Sequence, residues 1–265
     1  MANHIAVAMP SRFVYPSAGR TVLYVLLFWF VLNSLGGAGI SVEEFLEGLP
    51  NMRRLVAEMF PPSLARMDAV GAALLQTFQM AVAGTLLGVF FSLPLGVLAS
   101  RTQTPNRILY SCSRLLISFF RTVPDLIWAL FFVATVGLGP FAGALALMVD
   151  TIGFCGRFFA EAFEEVHPGP QEALTAIGAG KASVFACSVL PAALPSLTNT
   201  ALFSLEKATR SSVVLGLVGA GGIGIELKVS MDMFRYAEAS TIILSIFALV
   251  VLVETISSKI RQRII

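Results

Sequence analysis

Charge is what this sequence has least of. Of its 265 residues, 13% are Asp, Glu, Lys or Arg, about half the share of an ordinary soluble domain, too few to coat a fold of this length. Cysteine and histidine are scarcer still, with three and two residues. Cys112, Cys155 and Cys187 stand far apart with no C-x-x-C. That excludes a disulfide framework or a cysteine metal site, and they read as small buried hydrophobes. His4 and His167 are too few for a histidine metal site, and neither H-E-x-x-H nor G-x-S-x-G occurs, so no metal or catalytic residue is expected. A net charge of +2 leaves no strongly basic surface for nucleic acid.

What is there instead is apolar sequence: 56% of residues are hydrophobic and the mean hydropathy is +0.82. The chain reads as an all-α integral membrane protein. A spanning helix needs about 20 largely apolar residues. Residues 21–42, 69–100, 108–137, 140–160, 182–218 and 239–258 meet that need, which predicts six spans, with an irregular or re-entrant stretch over 219–237. The first run could pass for a secretion signal, since Arg12 and Arg20 precede it and small residues follow. It is read as a retained span because the later topology needs it. Residues 43–68 carry charge and Pro50, Pro61 and Pro62, an extramembrane loop with one amphipathic helix. The chain thus divides into 1–68 (tail, first span and periplasmic loop) and 69–265, the transmembrane core with a polar loop at 161–190.

Lys and Arg set the orientation. With both termini cytoplasmic, Arg12, Arg20, Arg101, Arg107, Lys181, Lys259, Arg261 and Arg263 fall inside. Arg53, Arg54, Arg66, Lys228 and Arg235 fall outside.

The polar loop holds the informative motif, Glu172-Ala173-Leu-Thr-Ala-Ile-Gly178-Ala179-Gly-Lys181, followed by Leu190-Pro191. This pattern resembles the cytoplasmic signature of importer-type ABC permeases, departing from it at Leu174, where a second Ala is usual, and at Ser188, where an aliphatic is usual. Val136-Gly-Leu-Gly-Pro-Phe-Ala-Gly143, His167-Pro-Gly-Pro170 and Val218-Gly-Ala-Gly-Gly-Ile-Gly224 are similar to the phosphonate-type branch, whose near relatives carry phosphite; methionine permeases share the glycine-rich run. The resemblance covers roughly residues 70–260. It implies the importer-type permease fold in a bacterial inner membrane. It also implies a second permease copy or similar chain, two cytoplasmic ATP-binding subunits and a periplasmic substrate-binding protein. In it, Glu172, Ala173, Gly178, Ala179, Leu190 and Pro191 belong to the ATPase-coupling segment. Small residues there permit close helix approach, and Glu172 offers a charged contact.

Two phosphate motifs are only apparent. Gly219, Gly221, Gly222 and Gly224 form G-x-G-x-x-G spacing with an intervening Gly, but the 41 residues that follow end in a span and leave no room for a dinucleotide fold. They read as a glycine-rich bend on the periplasmic side. Gly178-Ala-Gly-Lys181 lacks the P-loop pattern, with Thr at 175 and Ala at 182. ATP and Mg are therefore expected on partner subunits, with no cofactor in this chain.

Charges inside spans are costly, about 2.5–3.5 kcal/mol each on insertion scales, and mark function. Arg121/Asp125, Arg157/Glu161 and Glu206/Arg210 stand four apart and are expected to pair along single helices. Arg121, Asp150, Glu206 and Arg210 are the candidates for a polar pathway taking a small oxyanion. The alternative within the same family is a permease for another small solute such as methionine; beyond it, an ion-coupled secondary transporter or a membrane-embedded enzyme is the rival reading, and neither inverted repeats nor a nucleophile–base pair speaks for them.

Overall fold

A computed structural model describes residues 17–39 and 41–264; His4 and Arg12 lie outside the described residues. The chain divides into two compact units at Val56/Ala57. In the first, α1 (Ala18–Gly37) is apolar all round with no buried residue, which suits a helix surrounded by lipid. Helix α2 (Val42–Glu58) follows it.

The second unit is built on α3 (Met67–Leu98) and α6 (Pro140–Glu165). Gly84, Gly88, Ser92 and Gly96 repeat every fourth residue of α3 and so form one stripe. A Cβ on Gly84 would sit 2.7 Å from the Leu147 Cβ, and one on Gly96 2.8 Å from the Phe159 Cβ; one on Gly88 would overlap Thr151. Small residues let two backbones pack this closely, the usual adhesive between membrane helices. The partners climb along α6 in step with α3, so the two helices run parallel.

That parallel order fixes what lies between them. Helices α4 (Arg107–Thr122) and α5 (Asp125–Val136) together return the chain across the bundle, bent by 89°. Pro124 has no N–H to donate and pushes Val123 into extended backbone (φ −78, ψ 119), which ends α4. Trp128 fills the elbow, its ring centroid 5.7 Å from Phe119 and 5.9 Å from Phe120. The third expected span is thus broken, whereas its sequence reads as one run with embedded charges. Among the described residues, five single helices are long and apolar enough to span, and the bent pair makes six.

Three short pieces follow α6. Helix α7 (Pro168–Ala176) leads to α8 (Lys181–Val184), which passes through a π turn (Phe185–Val189) into α9 (Leu190–Leu217). The Leu190 N–H bonds the Phe185 carbonyl, five residues back. Pro191 explains the widening: it offers no N–H to the 187 carbonyl and its ring crowds that group. Helices α10 (Ile223–Asp232) and α11 (Tyr236–Ile264) complete the unit, so the irregular 219–237 stretch is a tight turn plus α10. Ser212–Val218, which could pass for a strand, belongs to α9 and its cap. Cys155 is buried as expected, but Cys112 and Cys187 are exposed. The expectation fails there because the outside of a membrane bundle is itself apolar, so an apolar side chain has no need of the core.

Candidate functional site

The charged side chains inside the bundle assemble mainly between helices. Lys207 on α9 donates to both carboxylate oxygens of Asp150 on α6, at 2.7 and 2.8 Å, and stands 5.3 Å from the Phe154 ring centroid. Glu206, 6% exposed, accepts from Arg261 of α11 at 2.7 Å. Arg210 reaches Glu254 of α11 at 3.7 Å. One and a half turns of α9 therefore carry charges of both signs, which face two different helices.

This corrects two of the three expected pairings. Glu206 and Arg210 are spaced correctly but each has turned to α11. Arg121 and Asp125 lie on opposite sides of the Pro124 break, so no shared helix face exists for them. Asp125 instead accepts from the Leu126 N–H at 2.9 Å, at the positive end of α5. Arg157 and Glu161 do pair within α6. Lys207, Arg261 and Glu254 are the partners that sequence reasoning did not assign. The signal for Glu254 was a lone acid in an otherwise uncharged run.

Of the five cations in the expected spans, Arg114, Arg157, Lys207 and Arg210 each meet an acid. Arg121 meets none among the described residues and is exposed. Its backbone nitrogen lies 2.7 Å from where a Cβ on Gly153 would stand. Gly153 is at the middle of α6, so the backbone of Arg121 stands level with the middle of that helix, at the elbow of the broken span, and its guanidinium meets no acid among the described residues. Such a charge is expensive unless water or an anion reaches it.

At the end of the bundle that the Lys/Arg count assigns to the cytoplasm, Glu164 of α6 closes the α3–α4 loop. It accepts from the Arg101 N–H at 2.7 Å and from Arg114 Nη2 at 2.9 Å. The Tyr110 ring lies under both guanidinium groups, and its hydroxyl accepts from Arg101 Nε at 2.8 Å. That hydrogen bond holds the Arg101 guanidinium above its usual pKa. Beside this clamp projects α7. His167 Nδ1 caps it by accepting from the Gly169 N–H, and Pro168 occupies a position where no N–H is needed.

Helix α7 ends at Gly178, with φ +86. The Ala179 N–H bonds the Leu174 carbonyl and the Gly178 N–H the Thr175 carbonyl, a Schellman arrangement that needs the left-handed conformation glycine adopts freely. Glu172, Ala173 and Ala176 are exposed, and Ile177 is 81% exposed at the tip. Ala179 is half-buried beside Lys181 in a polar groove of about 350 Å³ against the α3–α4 loop. Leu190 instead faces inward onto the Phe159–Phe163 cluster, while Pro191 is exposed.

Gly219, Gly221 and Gly222 all have positive φ, at +92, +90 and +74. This turn is held by α3: the Gly222 N–H donates to Gln76 Oε1 at 3.0 Å and the Ile223 N–H to Thr77 Oγ1 at 2.7 Å. The Gly139 N–H donates to the Gly219 carbonyl, and Gly224 packs against Gly216. The four glycines thus form a seam joining α3, α6, α9 and α10.

Parallel spans bonded through small residues, charges paired across the bundle and a capped helix projecting from one end define a multi-span membrane helix bundle. Residues 92–265 match the family described as binding-protein-dependent transport system inner membrane component, and the chain belongs to that family of inner-membrane ABC importer permeases. The phosphite transport system permease protein PtxC of Stutzerimonas stutzeri is 39% identical over 238 residues, covering 89% of this chain and 86% of that one. The phosphate-import permease protein PhnE of Mycolicibacterium smegmatis is 38% identical over 215 residues, covering 80% of this chain and 40% of that one. Among solved structures, a chain of the inward-facing MetNI methionine ABC transporter superposes with a TM-score of 0.68 at 25% identity, covering 77% of this chain and 99% of that one.

Proposed function

We propose that this permease passes phosphite or a phosphonate through the membrane. The observation that carries the oxyanion reading is Arg121, a cation on backbone level with the middle of α6 that meets no acid among the described residues, beside a network in which the other span cations are paired. A guanidinium presents parallel donors that match phosphoryl oxygens. Likeness to a phosphite permease along most of the chain supports the same cargo class. A methionine permease of Pasteurella multocida is more distant, 30% identical over 59% of this chain. Asp150, Glu206 and Arg210 border the route; the two acids temper the attraction for an anion, and Arg210 is already engaged by Glu254.

Energy comes from partner ATPases. Two copies of this chain, or this chain and a similar one, seat α7 against two ATP-binding subunits, with Glu172, Ala173, Gly178 and Ala179 at the contact and Leu190-Pro191 tying it to α9. The exposed tip at Ile177 and the π turn into α9 support this: a push on α7 is delivered to the helix bearing Glu206, Lys207 and Arg210. The Gly178–Lys181 segment is a helix end rather than a strand–loop–helix cradle, which supports placing ATP and Mg elsewhere. A periplasmic binding protein delivers cargo at the opposite end.

Uptake of labelled phosphite and of 2-aminoethylphosphonate tests the reading, in cells expressing the chain with its ATPase and binding protein. Arg121→Gln should cut uptake at least tenfold with the complex still assembled. Full uptake by a well-expressed Arg121→Gln chain would remove Arg121 from the route, and uptake of neither compound by the unaltered complex would overturn the cargo class.

A further inference from the structure

The segment between α1 and the permease core is a helix with a divided surface. Val42, Phe45, Leu46, Leu49, Met52 and Val56 recur at helical spacing along α2 and share one face. They are 42–70% exposed, an apolar strip with no cover. Glu43, Glu44, Glu47 and Asn51 take the opposite side.

The helix starts firmly. Ser41 Oγ accepts from the Glu44 N–H at 3.1 Å, in the S-x-x-E spacing of a capping box, and Glu43 and Glu44 oppose the positive end of the helix dipole. Its start is also tethered, because only residues 38–41 separate it from the end of α1, a reach of at most about 14 Å. A helix so tied to the end of a span is held at the membrane surface.

We propose that α2 is an interfacial helix that lies along the leaflet at the C-terminal end of α1, its apolar strip among the lipid chains. By the Lys/Arg count that is the periplasmic leaflet. Arg53 decides between lipid and a protein cover: it sits within the apolar arc, between Leu46 and Leu49 in projection. Against a dry protein surface that position would bury an unpaired charge. At a bilayer its stem lies on the apolar strip and its guanidinium reaches the phosphate layer. The helix therefore anchors the first span to the surface, independently of which cargo the permease carries.

The test places a bimane label at Leu49→Cys or Asn51→Cys in the full-length chain carrying Cys112→Ser and Cys187→Ser, in phosphatidylcholine nanodiscs. A nitroxide lipid should quench the label at 49 at least threefold more than that at 51, with aqueous iodide giving the reverse order. Equal iodide quenching at both positions, a helix standing in water, would overturn the proposal. So would a label at 49 shielded from nitroxide lipid and iodide alike, since that marks a protein partner. A chain with Leu46→Asp and Leu49→Asp serves as a second check. Its label at 52 (Met52→Cys) should lose most of its lipid quenching, and unchanged quenching would again overturn the assignment.

Discussion

Lys207→Met would test whether the α6–α9 ion pair stabilises the bundle. The Lys207 ammonium contacts both oxygens of Asp150, and the Asp150 side chain is 14% exposed against 36% for Lys207. Breaking a fully buried pair from one side costs about 3–5 kcal/mol. Because Lys207 is about one-third exposed, the loss here should be nearer about 2–3 kcal/mol. For a unit of this size that lowers the melting temperature by roughly 5–10 °C. The two ends of the pair are not equivalent. Asp150→Asn leaves a lysine whose long stem can carry its charge to a wetter place, whereas Lys207→Met leaves a short carboxylate that cannot follow. Asp150→Asn should therefore cost less, and the double variant should recover most of what Lys207→Met loses. Thermal melting of the purified chain, followed by fluorescence-detected gel filtration, reads all three. A Lys207→Met chain melting with the unaltered protein, or a double variant no better than Lys207→Met alone, would refute the reasoning.

Other expectations follow from the packing and the caps. Gly88→Ala drives a Cβ into Thr151 and should cost about 1–3 kcal/mol as overpacking; Gly71→Ala, in the same helix with nothing within 4 Å, should be neutral or slightly stabilising, and equal melting of the two would sink the parallel-helix account. At Gly178 there is space for a side chain but a positive φ, so Gly178→Val should loosen α7 and lower uptake per ATP hydrolysed while Gly178→Asn retains most of it; the comparison is of uptake and phosphate release in one preparation. Glu172→Lys should leave ATP hydrolysis running but separate it from uptake, and unaltered coupling in that chain would remove Glu172 from the ATPase contact.

Composition and uncharged runs locate the spans because lipid demands length and apolarity from every crossing helix alike. The Pro168-Gly-Pro170 start and Gly178 stop of α7 are equally legible, since they act through local backbone. Charge partners are different. Glu206 and Arg210 satisfy the i,i+4 rule, yet each bonds a residue of α11 that is distant in sequence, because helix rotation in the bundle decides which way a side chain turns. The break at Pro124 was readable from the proline itself, but charges embedded in the run drew the reading instead. The glycine and serine stripe of α3 likewise carries a four-residue period that hydropathy alone does not register.

One consequence of the α9 arrangement concerns electroneutrality. Glu206 and Arg210 face α11 with opposite signs, one helical turn apart, and Arg261 and Glu254 answer them with the signs reversed. Each side of the α9–α11 seam therefore sums to zero by itself. The seam draws its attraction from how its charges alternate, and the surplus positive charge of α9, Lys207, is met by Asp150 of α6 instead.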